Sequence, residues 1–203
     1  MITVKKYAPP PFCESEALRY ARAGELTPEI KECLEVNYER LAPAVDARVC
    51  YTVLPVSIRG SHIDFGAFSV ESADLAKNLG GCEKAVLFAA TVGHGVDRVI
   101  RRYGTVSASD GVMLQAIGAE RVEKVCDEFN EEIRKSFAEE GCFLRPRFSA
   151  GYGDLSIETQ SDILRTLDAS RKIGITLNSG YIMSPSKSVT AFIGISAESG
   201  IVR

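Results

Sequence analysis

The segment Arg147-Phe148-Ser149-Ala150-Gly151-Tyr152-Gly153-Asp154 gathers residue types that can hold a small ligand. Its two glycines and two small residues let the backbone come close to a bound molecule. Arg147 offers a planar fork of donors that matches a carboxylate. Tyr152 offers a flat face and one hydroxyl. Together they suit a ligand with one acidic end and one aromatic end. The plain alternative is a strand-to-helix turn with Arg147 in a surface ion pair. Local chemistry alone favours that alternative, because glycine-bearing loops are common.

Little else in the chain is arranged for chemistry. The six cysteines, at 13, 33, 50, 82, 126 and 142, form no Cys-x-x-Cys pair, and the only histidines are His62 and His94. Zinc and iron–sulfur sites usually draw on close pairs, so no metal site is expected and the cysteines read as buried small hydrophobes. No histidine–carboxylate or Ser/His arrangement is present, so no catalytic acid, base or nucleophile is expected from this chain. His94, in Gly93-His94-Gly95, opens a helix and either meets a partner or faces solvent in a turn. His62 lies in a strand-like run and reads as structural.

The elements that must position the Arg147 segment follow from periodicity. Residues 14–23 read as a helix. Thr27-Pro28 opens a second one, with Thr27 as cap and Pro28 in the first turn. Runs 49–56 and 62–70 read as strands, 72–79 as a short helix, 84–91 as a buried central strand and 95–103 as a helix. The longest helix is expected over 109–140, capped by Ser107 or Ser109. Its apolar stripe is Met113, Ile117, Val125, Phe129, Ile133 and Phe137, and the pairs Glu120–Lys124 and Glu131–Lys135 lie on its charged face. Asp110, on the same helix, belongs to that solvated face or approaches the ligand. A strand over 142–148, helices near 157–166 and 169–173, and strands over 175–183 and 188–196 complete the chain, with Tyr181 as a core residue. The alternation is not strict βαβ, so the fold class is α+β: a mixed or antiparallel twisted sheet with flanking helices.

Composition narrows the function classes. The chain has 203 residues, 45% hydrophobic and 25% charged, with 24 basic against 27 acidic side chains and a net charge of −3. No basic stripe points to nucleic acid. No apolar run approaches the ~18 residues of a membrane span, and no secretory signal opens the chain, so a cytoplasmic location is expected.

A second motif changes the reading of the first. Met183-Ser184-Pro185-Ser186-Lys187-Ser188-Val189 follows Arg147-Phe148-Ser149-Ala150-Gly151-Tyr152 by about 30 residues. Between them runs Leu167-Asp168 to Ile173-Gly174-Ile175-Thr176-Leu177, and upstream lies Ser109-Asp110-Gly111 to Glu120-Arg121. This set resembles the activation (reactivation) domain of cobalamin (vitamin B12)-dependent methionine synthase. The resemblance is good over 84–196 and weak over the N-terminal helical and strand portion, 1–80, and the whole of 1–203 is expected to be one activation-type domain. It implies that S-adenosylmethionine lies along the first motif. Arg147 would hold the carboxylate, the Ala150–Gly151 backbone and Tyr152 would line the ligand, and Ile193 and Gly194 would close the far side. Lys187 and Ser188 would sit on the rim. The sequence departs from the family at Ile193, where a larger aromatic residue is usual, and the family's acidic contact near the domain start has no counterpart that can be placed.

The resemblance also implies a mechanism. Such a module supplies the methyl donor for reductive methylation of cob(II)alamin, the cobalamin being carried by another protein. The cobalamin-ligating pattern Asp-x-His-x-x-Gly is absent, since Gly60 and Val92 stand where an aspartate would precede His62 and His94. The chain is therefore expected to act in trans on a corrinoid methyltransferase, with a flavodoxin- or ferredoxin-like protein as reductant. Two alternatives stand beside this one. One is a docking adaptor for a corrinoid protein that no longer binds S-adenosylmethionine, suggested by the departures at the pocket rim. The other is a Rossmann-type methyltransferase, which the lack of Gly-x-Gly-x-x-Gly after an early strand opposes.

Overall fold

The protein is described by a computed structural model covering residues 1–24 and 26–197. Strand β1 (Thr3–Lys6) leads through a proline arm into helices α1 (Glu14–Ala21) and α2 (Pro28–Leu41). Strand β2 (Arg48–Pro55) is followed by three short strands, β3 (Ser57–Arg59), β4 (His62–Asp64) and β5 (Ser69–Glu71), and by helix α3 (Ala73–Asn78). Strand β6 (Lys84–Thr91) feeds helices α4 (His94–Gly104) and α5 (Ala108–Glu139). The rest comprises β7 (Phe143–Leu144), α6 (Thr159–Thr166), α7 (Ala169–Ile173), the hairpin β8 (Thr176–Leu177) and β9 (Met183–Ser184), and β10 (Ser188–Ser196).

The main sheet has the order β1-β2-β6-β10-β7, and every pairing in it is antiparallel. This is the antiparallel form of the expected α+β architecture. The sheet lies between two cores because successive side chains of a strand point to opposite faces. On β6, Val86, Phe88 and Ala90 face helices α1, α2, α4 and α5, while Ala85, Leu87 and Ala89 face the other layer. On β10, Ala191, Ile193 and Ile195 face the helices and Phe192 faces away. The second layer is built from β4, β5, α3, α6 and α7, with Phe65 stacked on Phe192 at 4.8 Å.

Three expected strands are shorter than their runs suggest, among them 175–183, which folds into the hairpin of β8 and β9 with a turn between. The run 62–70 breaks into β4 and β5 because Phe65 N–H donates to Phe68 O and Asp64 Oδ1 accepts from Gly66 N–H, closing a turn. In 142–148 only Phe143 and Leu144 pair as a strand, with an isolated bridge from Phe148 to Phe192. Pro146, which has no N–H to donate, interrupts the ladder between them. Tyr181 is not a strand core residue: it takes a left-handed turn conformation, φ 59°, between β8 and β9.

Helix caps follow their local signals. Thr27 accepts from Ile30 N–H, Ser107 from Asp110 N–H and Ser72 from Leu75 N–H, each meeting a donor the first helical turn leaves unpaired.

Helix α5 holds the largest departure from expectation. Glu120 does not pair with Lys124 on a solvated face. It is buried, with Arg121 beside it, under the N-terminal arm. Arg121 Nε and Nη2 donate to the Glu120 carboxylate at 2.5 and 2.6 Å. Its Nη1 and Nη2 donate to the carbonyls of Pro10 and Pro11 at 2.6 and 3.1 Å. Cys13 N–H donates to Glu120, and the guanidinium lies 5.0 Å from the Phe12 ring, which stacks on Tyr38. The proline arm, whose carbonyls have no strand partner there, is thereby tied to α5. The other expected pair, Glu131–Lys135, does form on the exposed face at 3.6 Å.

Candidate functional site

Arg147 follows the bend after β7 and reaches α5. Its Nη2 donates to Glu123 Oε2 at 3.3 Å and to Asp127 Oδ1 at 3.0 Å. The two carboxylates stand one helical turn apart and so share a face. The arginine side chain is 27% exposed and the two acids more so, leaving the cluster open to solvent on one side. Beneath it lies Cys126, whose thiol burial pushes well above its ordinary range. The cluster opens into a cleft of about 230 Å³ lined by Glu123, Arg147, Phe148, Ser149, Tyr152 and Val189.

The loop that frames the cleft is tightly held. Tyr152 N–H donates to Ser149 O, Gly151 N–H to Leu155 O and Leu155 N–H to Tyr152 O, giving two consecutive turns. Asp154 then ties the loop to the start of α3. Its carboxylate accepts from Ser72 Oγ and from the N–H groups of Ala73 and Asp74, while Asp154 N–H donates back to Asp74. These bonds, the Ser72 hydroxyl first, hold the Asp154 carboxyl below the usual carboxylate range. Gly153 sits against Asp74 so closely that a Cβ there would collide with the Asp74 carboxylate. The result is an anchored platform from which Tyr152, 71% exposed, projects.

The residues singled out from sequence are distributed as follows. Arg147 and Tyr152 line one cleft, with Gly151 at the turn between them. Ala150 is buried in the core layer below, so it can offer backbone only. Arg147 and Ile193 are each one residue from the Phe148–Phe192 bridge, which sets the arginine stem alongside Ile193. Ile193 has no exposed surface and packs in the helix-facing core. Gly194 faces the opposite side of the sheet, where a Cβ would lie 2.7 Å from Cys82 Sγ and 3.0 Å from Leu79. Neither position lines the cleft.

The rim residues are placed differently from expectation. Ser188 is buried, with its hydroxyl 2.8 Å from Pro185 O and 2.9 Å from Thr91 Oγ1, and Lys187 turns away into a separate trough between α4 and α5. Asp110 stays far from the cleft, paired with Arg40 at 3.0 Å and Asn37 at 2.9 Å. His94 is exposed at the start of α4, with its ring nitrogen 3.3 Å from Gly174 O. His62 pairs with Glu71 at 2.7 Å across β4 and β5. Glu123 and Asp127 are the residues that sequence reasoning missed. Two carboxylates at i and i+4, each lacking a cation four residues away on its own helix, were the available signal.

A cation and an anion held side by side at a cleft form the complement of an amino-acid zwitterion. The guanidinium suits a carboxylate, and Glu123 suits an ammonium. Among the described residues, no group of His, Cys, Asp and Glu is arranged to hold a metal ion, and no helix is long and apolar enough to cross a membrane.

No protein-family model and no curated protein sequence matches the chain. Its architecture, however, matches a crystal structure of the MetH reactivation domain bound to AdoHcy. The TM-score is 0.69 over 99% of this chain and 80% of that one, at 14% sequence identity. The chain therefore has the fold of the methionine synthase reactivation domain, and the likeness covers the N-terminal portion as fully as the motif-bearing one.

Proposed function

We propose that the chain binds S-adenosylmethionine at the Arg147–Glu123 cleft and serves as a reactivation module for a separate cobalamin-dependent methyltransferase. The observation that carries this reading is the zwitterion-complementary pair in a fold whose solved relative was crystallised with AdoHcy, which is S-adenosylmethionine less its methyl group. Arg147 exchanges its bond to Asp127 for the ligand carboxylate, and Glu123 accepts from the ligand ammonium. The enclosed volume, about 230 Å³, is below the roughly 300–1,000 Å³ of a typical ligand site. It takes the amino-acid end, and the adenosyl end lies on the exposed Tyr152 ring.

This division suits a donor that must be presented rather than enclosed. The cobalt of the partner's cobalamin supplies the methyl-accepting and redox chemistry. This chain contributes binding and orientation, for which no acid or base is needed. A flavodoxin- or ferredoxin-like protein is the proposed source of the electron, and the cytoplasm the proposed compartment.

A docking adaptor without the ligand is the second reading. It is favoured by one feature: Arg147 is already bonded to two carboxylates. Calorimetric titration of the chain with S-adenosylmethionine separates the two. Saturable one-to-one binding supports the donor reading, and the absence of any binding leaves the adaptor.

A further inference from the structure

The trough that receives Lys187 has its own binding chemistry. It lies between α1, α4 and the N-terminal half of α5, with a volume of about 640 Å³. That exceeds the Arg147 cleft and falls within the roughly 300–1,000 Å³ of small-molecule sites. Tyr20, Ile100, Val112, Ala116 and Ala119 give it apolar walls, and α4 meets α5 at the Gly104–Gly111 contact on its floor. Val112 is 56% exposed. The polar groups that converge on the trough include Lys187 and Arg101, and no carboxylate lines it.

Lys187 is placed there by a specific device. Its methylenes lie over Gly118, where an added Cβ would be 3.1 Å from both Cγ and Cε. Only a bare helix position lets the lysine stem run this way. Among the described residues, no carboxylate lies within ion-pair distance of Lys187 or Arg101. The nearby Asp97 is committed to Ser186, accepting from its N–H at 2.8 Å and its Oγ at 2.7 Å. Burial pushes the Lys187 ammonium below the ordinary lysine range, with Asp97 pulling the other way. A partly desolvated cation with no carboxylate in ion-pair contact gains most from an anion brought to it.

We propose that this trough binds an organic anion with an apolar body, such as a medium-chain or aromatic carboxylate or sulfonate. The acid group meets Lys187 and Arg101, and the body lies along Val112, Ala116 and Ala119. The inference stands apart from the S-adenosylmethionine reading, since it uses neither Arg147 nor Glu123.

The test is a fluorescence titration of the intact chain with 8-anilinonaphthalene-1-sulfonate, followed by displacement with decanoate, decanol or S-adenosylmethionine. Saturable dye binding is expected, displaced at least about tenfold more effectively by decanoate than by decanol, because bonds to a charged partner are the stronger ones. Lys187→Met is expected to weaken decanoate about tenfold, and Gly118→Ala, which keeps the charge but displaces the lysine stem, to weaken it too. S-adenosylmethionine should not displace the dye. Equal displacement by decanol, or an unchanged decanoate affinity in Lys187→Met, overturns the proposal. Displacement by S-adenosylmethionine also overturns it, by placing the dye in the other cleft. Binding to phosphatidylglycerol vesicles with none to decanoate overturns it in favour of a lipid surface. Should Lys187→Met fail to fold, the exposed Arg101→Gln carries the same test, and an unchanged decanoate affinity there has the same consequence.

Discussion

Helix α5 presents two arginine–carboxylate clusters that look alike in composition and differ in everything else. Arg121 is sealed, and its Nε, Nη1 and Nη2 all donate to Glu120 or to the proline-arm carbonyls. Arg147 stands at an open edge, sharing one Nη between two carboxylates at 3.0 and 3.3 Å. The first cluster is closed by its own protein and can only hold the chain together. The second has donor capacity and solvent access left over, which is what a ligand needs. Burial therefore separates an arginine closed by its own protein from one left open to solvent, where residue type and helix position do not.

The sharpest way to break this comparison is to remove one charge from the sealed cluster. Glu120→Ala leaves Arg121 buried without its counterion and should cost about 3–5 kcal/mol in urea unfolding, the usual cost of orphaning a buried charge. Replacing both, as Glu120→Leu with Arg121→Met, should cost less than the two single changes summed. A cost for Glu120→Ala within about 1 kcal/mol, the range of surface pairs, would show the cluster to be surface-like.

In the open cluster the same operation should act on binding rather than folding. Arg147→Ala is expected to change stability by no more than about 1 kcal/mol, as for exposed pairs. It should weaken S-adenosylmethionine at least about tenfold, the loss expected for a hydrogen bond to a charged group. Thermal unfolding and calorimetry on the same samples check both halves.

A smaller effect has the opposite sign. In the proposed complex Asp127 would compete with the ligand carboxylate for Arg147, so Asp127→Asn should tighten binding a few-fold. Glu123→Gln should weaken it, because the neutral amide loses the charge opposite the ligand ammonium. If both substitutions weaken binding, Asp127 contacts the ligand itself.

The smallest expected effect lies in the platform. The Asp154 carboxyl is held below its unfolded value, so its contribution is fully present above the ordinary carboxylate range. That contribution fades as pH falls through the lower folded value. Asp154→Asn should flatten the acid limb of stability below about pH 4, near the unperturbed aspartate value, and leave neutral pH less affected. An unchanged acid limb would remove Asp154 from that role.

Much of this architecture was legible in the sequence because it is local. Thr27, Ser72 and Ser107 sit where caps are needed, and the apolar stripe of α5 from Met113 to Ile133 is buried as its spacing demands. The Arg147–Tyr152 segment stood out by residue type and by its distance from Met183–Val189. What stayed hidden depends on contacts between distant segments. Glu120 and Arg121 look solvated until the proline arm, some 110 residues away, is folded over them. Glu123 and Asp127 become functional candidates only once β7 carries the chain back along α5. Ile193 and Gly194 were drawn into the site by the family resemblance, but strand alternation puts one under the helices and the other on the far face of the sheet.

The paired titration of Arg147→Ala and Asp127→Asn with S-adenosylmethionine, against the unmodified chain, tests the central claim most directly. One-to-one binding is expected for the unmodified chain, at least about tenfold weaker in Arg147→Ala and tighter in Asp127→Asn. Binding that is equal in the chain and in Arg147→Ala, or absent from the unmodified chain, would contradict it.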